Sequence, residues 1–287
     1  MRSSIPEGVK WAGPAVALLF ALSVYPLAYS VKVSLTTAGG GVTLRNYSRL
    51  LSDEFFHTAA AQTLFYTSAA LIVEFLLGLG LALLADSLLR GRGLFRAGLL
   101  APMLLPPVVA AVIWRLMYNP QFGVLNGTLR ALGVDTSNLT WTSGEGSAML
   151  SVLLVDIWEW TPFIFLLLSA GLQAIPAEPY EAARVDGASA WQVLRDVTLP
   201  LLKPTILLAL VLRAMDLMRI FDQIFILTQG GPGFATETVS LYIYRTAFRF
   251  FNFGYAAAMS FVGLAVTTIL TRLLIRMINP RRIRQGA

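Results

Sequence analysis

The chain has 287 residues, 56% hydrophobic and only 13% charged, with a mean hydropathy of +0.67. That leaves too little polar surface to cover a water-soluble globule and points to a bilayer. The formal charge of +6 sits in short basic runs beside apolar segments, the footprint of membrane topology rather than of nucleic-acid binding. The absence of Cys excludes a disulfide framework and thiolate chemistry, and a single His, His57, argues against a metal site or a Ser-His-Asp triad.

Residues 11–31 are 21 uncharged residues, longer than a signal-peptide core and about the ~20 needed to cross ~30 Å of hydrocarbon, so they read as a retained span. Apolar stretches near 58–85, 97–114, 147–172, 205–227 and 255–275 bring the expected number of spans to six. Helices are the form expected, because lipid cannot satisfy backbone amides and the alternation of a membrane barrel is missing. The fold class expected is therefore all-α, a polytopic membrane protein forming one transmembrane domain over 1–287.

In the second span Glu74 stands alone, and in the third Pro106-Pro107 predicts a kink that leaves backbone carbonyls for other partners. Residues 115–146, rich in Gly, Asn, Ser and Thr, read as a loop. The fourth span carries Asp156, Trp158, Glu159 and Trp160, the carboxylate and aromatic pairing that grips sugars, although Trp is also common at membrane interfaces.

Next comes a polar island with helical periodicity, YEAARVDGASAWQVLRDVTLPLLKP at 180–204. Pro179 suits a first helical position, and Asp186-Gly187 breaks the helix. Ser189 and Gln192 form a capping-box pattern that starts a second short helix, which Pro200 is expected to end. Two short helices at an angle make a rigid knob, with small residues for close approach and carboxylates at Glu181 and Asp186 for a partner's Arg or Lys.

The fifth span holds Arg213, Asp216, Arg219 and Asp222 at three-residue steps of alternating sign. Four such charges facing lipid would cost on the order of 10–14 kcal/mol, so they must face the bundle, pair or line water. Two readings stand, salt bridges that hold helices in register and a polar translocation path. Beyond it, Gly230, Gly231, Pro232 and Gly233 open a loop over 228–254 that lacks the Gly-Lys-Ser/Thr ending of a phosphate loop, and no other nucleotide motif occurs.

Basic residues set the topology. With both termini cytoplasmic, Arg2, Lys10, Arg90, Arg92, Arg96, Arg184, Arg195, Lys203, Arg272, Arg276, Arg281, Arg282 and Arg284 lie inside, crowded into short loops and the tail. The outside residues Lys32, Arg45, Arg49, Arg115, Arg130, Arg245 and Arg249 are spread over longer loops, and the knob at 176–200 faces the cytoplasm.

The island resembles the signature of ABC-importer permeases, with Glu181, Ala182, Ala183, Gly187, Leu199 and Pro200 at the marked positions. APMLLPPVVAAVIWR at 101–115, IFDQIFILTQGGPGFATETVSLYIYRTAF at 220–248 and FNFGYAAAMS at 251–260 are similar to the carbohydrate branch, which includes maltose, trehalose and glycerol-3-phosphate permeases. The fifth-span pattern resembles the first permease of a heterodimeric pair.

That resemblance implies a cell-membrane permease subunit importing a sugar or sugar derivative by alternating access. Its implied partners are a second permease, two ATPase subunits holding ATP and Mg, and an external solute-binding protein. This chain is then expected to bind no cofactor and to hydrolyse no ATP. Glu181, Ala182, Ala183, Asp186, Gly187, Leu199 and Pro200 would couple to the ATPase, and Gly230, Gly231 and Pro232 would close a gate or meet the binding protein. Asp156, Glu159, Trp160, Arg213, Asp216, Arg219 and Asp222 are the path candidates. An ion-coupled carrier and a non-transporting membrane scaffold are the rival readings.

Overall fold

A computed structural model describes residues 7–37, 39–87 and 92–278. Thirteen α-helices run in order among them: α1 (Glu7–Ser34), α2 (Arg45–Leu50), α3 (Glu54–Ser87), α4 (Arg92–Leu100), α5 (Pro107–Met117), α6 (Val124–Ala131), α7 (Glu145–Gln173), α8 (Glu178–Val185), α9 (Ala190–Gln192), α10 (Leu199–Leu217), α11 (Asp222–Leu227), α12 (Val239–Tyr244) and α13 (Phe253–Ile278). The described residues contain no named strand, only an isolated antiparallel bridge between Thr36 and Val42. The all-α polytopic expectation holds. The basic residues Arg2, Arg90, Arg281, Arg282 and Arg284 lie outside the described residues.

Five helical stretches, 11–34, 54–86, 145–173, 190–217 and 253–276, are long and apolar enough to cross a membrane. The third expected span, 97–114, is not one helix. It divides into α4, a 3-10 turn at Pro102–Leu104, and α5, whose 11 residues are only about 16 Å long. Pro106 is extended, at φ −60° and ψ 139°, because the ring of Pro107 bars the residue before it from the helical region. Its carbonyl then accepts from the amides of Val109 (2.8 Å) and Ala110 (3.1 Å), so the chain restarts as a helix at once.

The expected fifth span, 205–227, also differs. The helix ends at Leu217, and α11 starts separately at Asp222 and packs on α5. At the other end the helix begins earlier than expected, because Pro200 does not terminate α9. A π-helical turn, Val193–Thr198, joins α9 to α10, and its wide winding accommodates a residue that has no N–H and would crowd the carbonyl four residues back.

Both stretches expected to be loops hold short helices. In the first, α6 is tied by Trp141 Nε1 donating to Asn126 Oδ1 at 2.8 Å and Arg130 Nε to Thr136 Oγ1 at 2.7 Å. In the second, α12 is followed by a π turn, Arg245–Arg249.

The chain forms two compact units. The first comprises Met1–Phe56 and Tyr242–Ala265. In it the start of α13 meets the end of α1 at Gly254, where a Cβ would lie 3.2 Å from the Val33 carbonyl oxygen and 3.1 Å from Asn46 Nδ2. Asp53 is buried there, accepting from Tyr242 Oη at 2.9 Å, from Tyr255 Oη, and from the amides of Phe55 and Phe56. Burial raises its pKa, but these hydrogen bonds to the carboxylate together hold it below its ordinary value.

The second unit comprises His57–Leu241 and Val266–Ala287. Its core joins α3, α7 and α10 through Ala82, Ala85, Ile164, Phe165, Leu168, Leu172, Leu202 and Ala209. Two glycines set these crossings, as expected where lipid gives helices no hydrophobic drive to associate and close backbone approach must do so. A Cβ on Gly78 would sit 2.7 Å from Ile164 Cγ2, and one on Gly171 would sit 2.7 Å from Leu202 Cδ1.

Candidate functional site

The knob is built as its residues suggest. Pro179 occupies the first turn of α8, which begins one residue earlier than expected. The helix stops in a Schellman motif, with Ala188 N bonding Ala183 O at 2.9 Å and Gly187 N bonding Arg184 O at 3.1 Å. Gly187 takes φ +72°, the left-handed conformation that a Cβ disfavours. Ser189 then closes a reciprocal capping box, its amide donating to Gln192 Oε1 at 2.8 Å while its Oγ accepts from Gln192 N at 3.4 Å.

Both arms leave apolar side chains uncovered. Val185 is 88% and Trp191 66% exposed, while Glu181, Ala182 and Asp186 also face outward and Ala183 is half-buried. Leu199 and Pro200 are the first two residues of α10. The second arm therefore runs through the π turn directly into a membrane-crossing helix.

Deeper in the same unit, Arg213 gathers three carboxylates. Its Nε and Nη2 donate to Glu74 Oε2 and Oε1 at 2.7 and 2.9 Å, a bidentate fork; Nη2 also reaches Asp156 Oδ2 at 2.5 Å, and Nη1 reaches Asp216 Oδ2 at 2.6 Å. The guanidinium carbon lies 4.9 Å from the ring centroid of Trp160, a cation–π contact. Arg213, Glu74 and Asp156 are fully buried, whereas the Asp216 side chain is 55% exposed.

A second polar chain lies alongside. Tyr66 Oη donates to Gln223 Oε1 at 3.2 Å, and Gln223 Nε2 donates to Glu159 Oε2 at 2.7 Å. Glu159 Oε1 has no hydrogen-bond partner.

Of the seven intramembrane candidates, Asp156, Trp160, Arg213 and Asp216 meet at one point. Glu159 belongs to the neighbouring chain through Gln223. Arg219 and Asp222 stand apart, both exposed, because the helix ends between Asp216 and Arg219; Arg219 Nε bonds Met215 O at 3.2 Å. Glu74, Tyr66 and Gln223 were not among the candidates. A lone Glu within an apolar span calls for a buried polar or cationic partner, and that is the available signal for Glu74. Nothing local marks Tyr66 or Gln223.

The loop after α11 is a compact, hydrogen-bonded turn. Thr236 Oγ1 donates to Gly231 O at 2.9 Å and pairs with Thr228 Oγ1 at 2.7 Å, and Thr236 N reaches Gly230 O at 3.2 Å. Gly230 and Gly233 have φ of +85° and +58°. Val239 N closes the segment on Thr63 Oγ1 of α3 at 3.0 Å.

Comparison with known proteins agrees with this architecture. The trehalose/maltose transport system permease protein MalF of Thermococcus litoralis is 44% identical over 213 residues, 74% of this chain and 70% of that protein. The trehalose transport system permease protein SugA of Mycobacterium tuberculosis is 36% identical over 271 residues, 92% of this chain and 86% of its own length. Among solved structures, a bacterial ABC transporter involved in the import of the acidic polysaccharide alginate has a chain that superposes with a TM-score of 0.82, covering 96% of this chain and 98% of that one at 22% identity, a likeness of fold. Residues 74–284 match the model of one protein family, and on that match and these relatives the chain is a multi-pass membrane protein belonging to the binding-protein-dependent transport system inner membrane components.

Proposed function

We propose that this chain is the first permease subunit of a heterodimeric ABC importer that moves a sugar or sugar derivative inward by alternating access. The observation that carries the reading is the exposed, doubly capped knob joined without a break to a membrane-crossing helix, in a chain whose relatives include trehalose and maltose permeases. Both termini and the knob lie in the cytoplasm, the arrangement favoured by the basic residues. The whole chain acts as one transmembrane domain.

Two partner ATPases hold ATP and Mg, a companion permease supplies the other half of the path, and a solute-binding protein delivers cargo outside. Glu181, Ala182, Ala183, Asp186 and Gly187 seat against the ATPase, and Leu199 and Pro200 pass its movement into α10. Because Arg213 on α10 grips Glu74 on α3 and Asp156 on α7, a displacement of the knob moves three helices as one body. Asp216 and Trp160 are the members of the cluster within reach of cargo, while Arg213 and Asp156 form the wall behind them. Glu159, Arg219 and Asp222 add polar surface along the path. The turn at Gly230, Gly231 and Pro232 meets the binding protein.

The test is ATP hydrolysis by the co-purified assembly in liposomes, with and without binding protein, across disaccharides, oligosaccharides and glycerol phosphates. Stimulation by one cargo is expected. Uptake driven by membrane potential and indifferent to ATP would replace the reading with an ion-coupled carrier, and knob binding without cargo-stimulated hydrolysis would replace it with a scaffold.

A further inference from the structure

A cavity of about 470 Å³ in the first unit is lined by Arg45, Asn46, Ser48, Arg49 and Ser52. We propose that it binds the headgroup of an anionic, hydroxylated phospholipid of the phosphatidylglycerol type.

The donors and acceptors in the cavity are complementary to such a group. Arg45 and Arg49 stand one helical turn apart, both exposed, and neither is ion-paired among the described residues. Asp53, four residues beyond Arg49, is already engaged by two tyrosine hydroxyls and two amides. Two guanidiniums are therefore available to a phosphate. Ser48 Oγ donates to Arg45 O at 3.0 Å, Ser52 Oγ to Arg49 O at 3.2 Å and Asn46 Nδ2 to Ser34 O at 2.9 Å. The two serines have spent their single donors and keep oxygen lone pairs, and Asn46 keeps its Oδ1 and one N–H, so all three can accept from hydroxyl groups. A phosphodiester carrying a glycerol satisfies both sets, whereas a protein carboxylate satisfies only the arginines.

The cavity also lies at the ends of membrane-crossing helices, the part of a span that meets lipid headgroups. Its residues occupy the link between the end of α1 at Ser34 and the start of α3 at Glu54. The Arg49 guanidinium carbon lies 4.3 Å from the ring centroid of Tyr255, in the first turn of α13. The charge is thereby fixed where three membrane-crossing helices begin or end. In the same unit Phe248, Phe250, Phe251 and Phe253 are all exposed, an aromatic belt suited to the interface and costly in open water.

The experiment uses the complete transporter in detergent, with phosphatidylglycerol and phosphatidylcholine as probes and native mass spectrometry as the readout. Wild type is expected to retain phosphatidylglycerol in preference to phosphatidylcholine. The double variant Arg45→Gln/Arg49→Gln should bind it about 30-fold more weakly, at the strength expected for two basic residues near a lipid surface. Arg249→Gln, an exposed arginine outside the cavity, should retain it as wild type does. Basal ATP hydrolysis in phosphatidylcholine nanodiscs reports that each variant is folded. Equal retention by wild type and the double variant would overturn the proposal. Displacement of the lipid by inorganic phosphate would reassign the site to a soluble anion. Unchanged lipid retention with lost binding-protein stimulation in phosphatidylcholine alone would make the cavity a protein docking surface.

Discussion

Replacing Arg213 with Leu removes the one cation shared by two fully buried carboxylates, Glu74 and Asp156. Breaking a buried pair from one side costs about 3–5 kcal/mol, because the remaining charge is left without compensation. For a chain of this size that lowers the melting temperature by about 6–20 °C. The cost comes from stranded charge rather than lost packing, so Arg213→Leu combined with Glu74→Gln and Asp156→Asn should recover more than half of the loss. Asp216→Asn alone should cost less than about 1 kcal/mol, since that carboxylate is 55% exposed. Thermal unfolding of the purified complex, followed by tryptophan fluorescence, separates these variants. An Arg213→Leu protein melting within about 2 °C of wild type, or a triple variant no better than the single one, would refute the reasoning.

Other expectations follow from single contacts. Gly171→Leu drives a side chain into Leu202 and Thr205 and should reduce the yield of folded complex in size-exclusion profiles, while Gly80→Leu, whose Cβ meets nothing within 4 Å, should not. Ser189→Ala removes the capping box at the start of α9 and should cost about 0.5–2 kcal/mol locally, measured as faster amide exchange over 189–193 with unchanged exchange in α7. Asp53 has a folded pKa below its ordinary 3.8, so its ionised form stabilises the fold above that value and the contribution is lost as pH falls through the folded pKa. The melting difference between wild type and Asp53→Asn should therefore be full at pH 7 and shrink below about pH 4.

Spans one, two, four and six were legible because each is a long apolar run, and the knob was legible because Gly187 and the Ser189–Gln192 pair act within a few residues of themselves. The third span was expected as one helix kinked at Pro106-Pro107, and Pro102, Pro106 and Pro107 together split it instead. The end of the fifth was not visible, because no Gly or Pro marks Met218–Phe221. The break is held by distant partners, Thr238 Oγ1 on Ile220 O at 3.3 Å and Gln223 on Tyr66 and Glu159. The partner of Glu74 was hidden for the same reason, as its guanidinium lies 139 residues along the chain. Pro200 misled because a π turn, which has no composition signature, absorbs it.

Coupling through the knob is tested most directly by measuring sugar uptake and ATP hydrolysis side by side in liposomes, for wild type and for Gly187→Trp. Gly187 has open space around it but a left-handed backbone, so the variant disturbs the knob's corner and its outer face without reaching the core. Wild type should take up one sugar in proportion to ATP hydrolysed, and the variant, though assembled in the membrane, should lose uptake and cargo stimulation together. Normal uptake by a well-expressed Gly187→Trp protein would contradict the account.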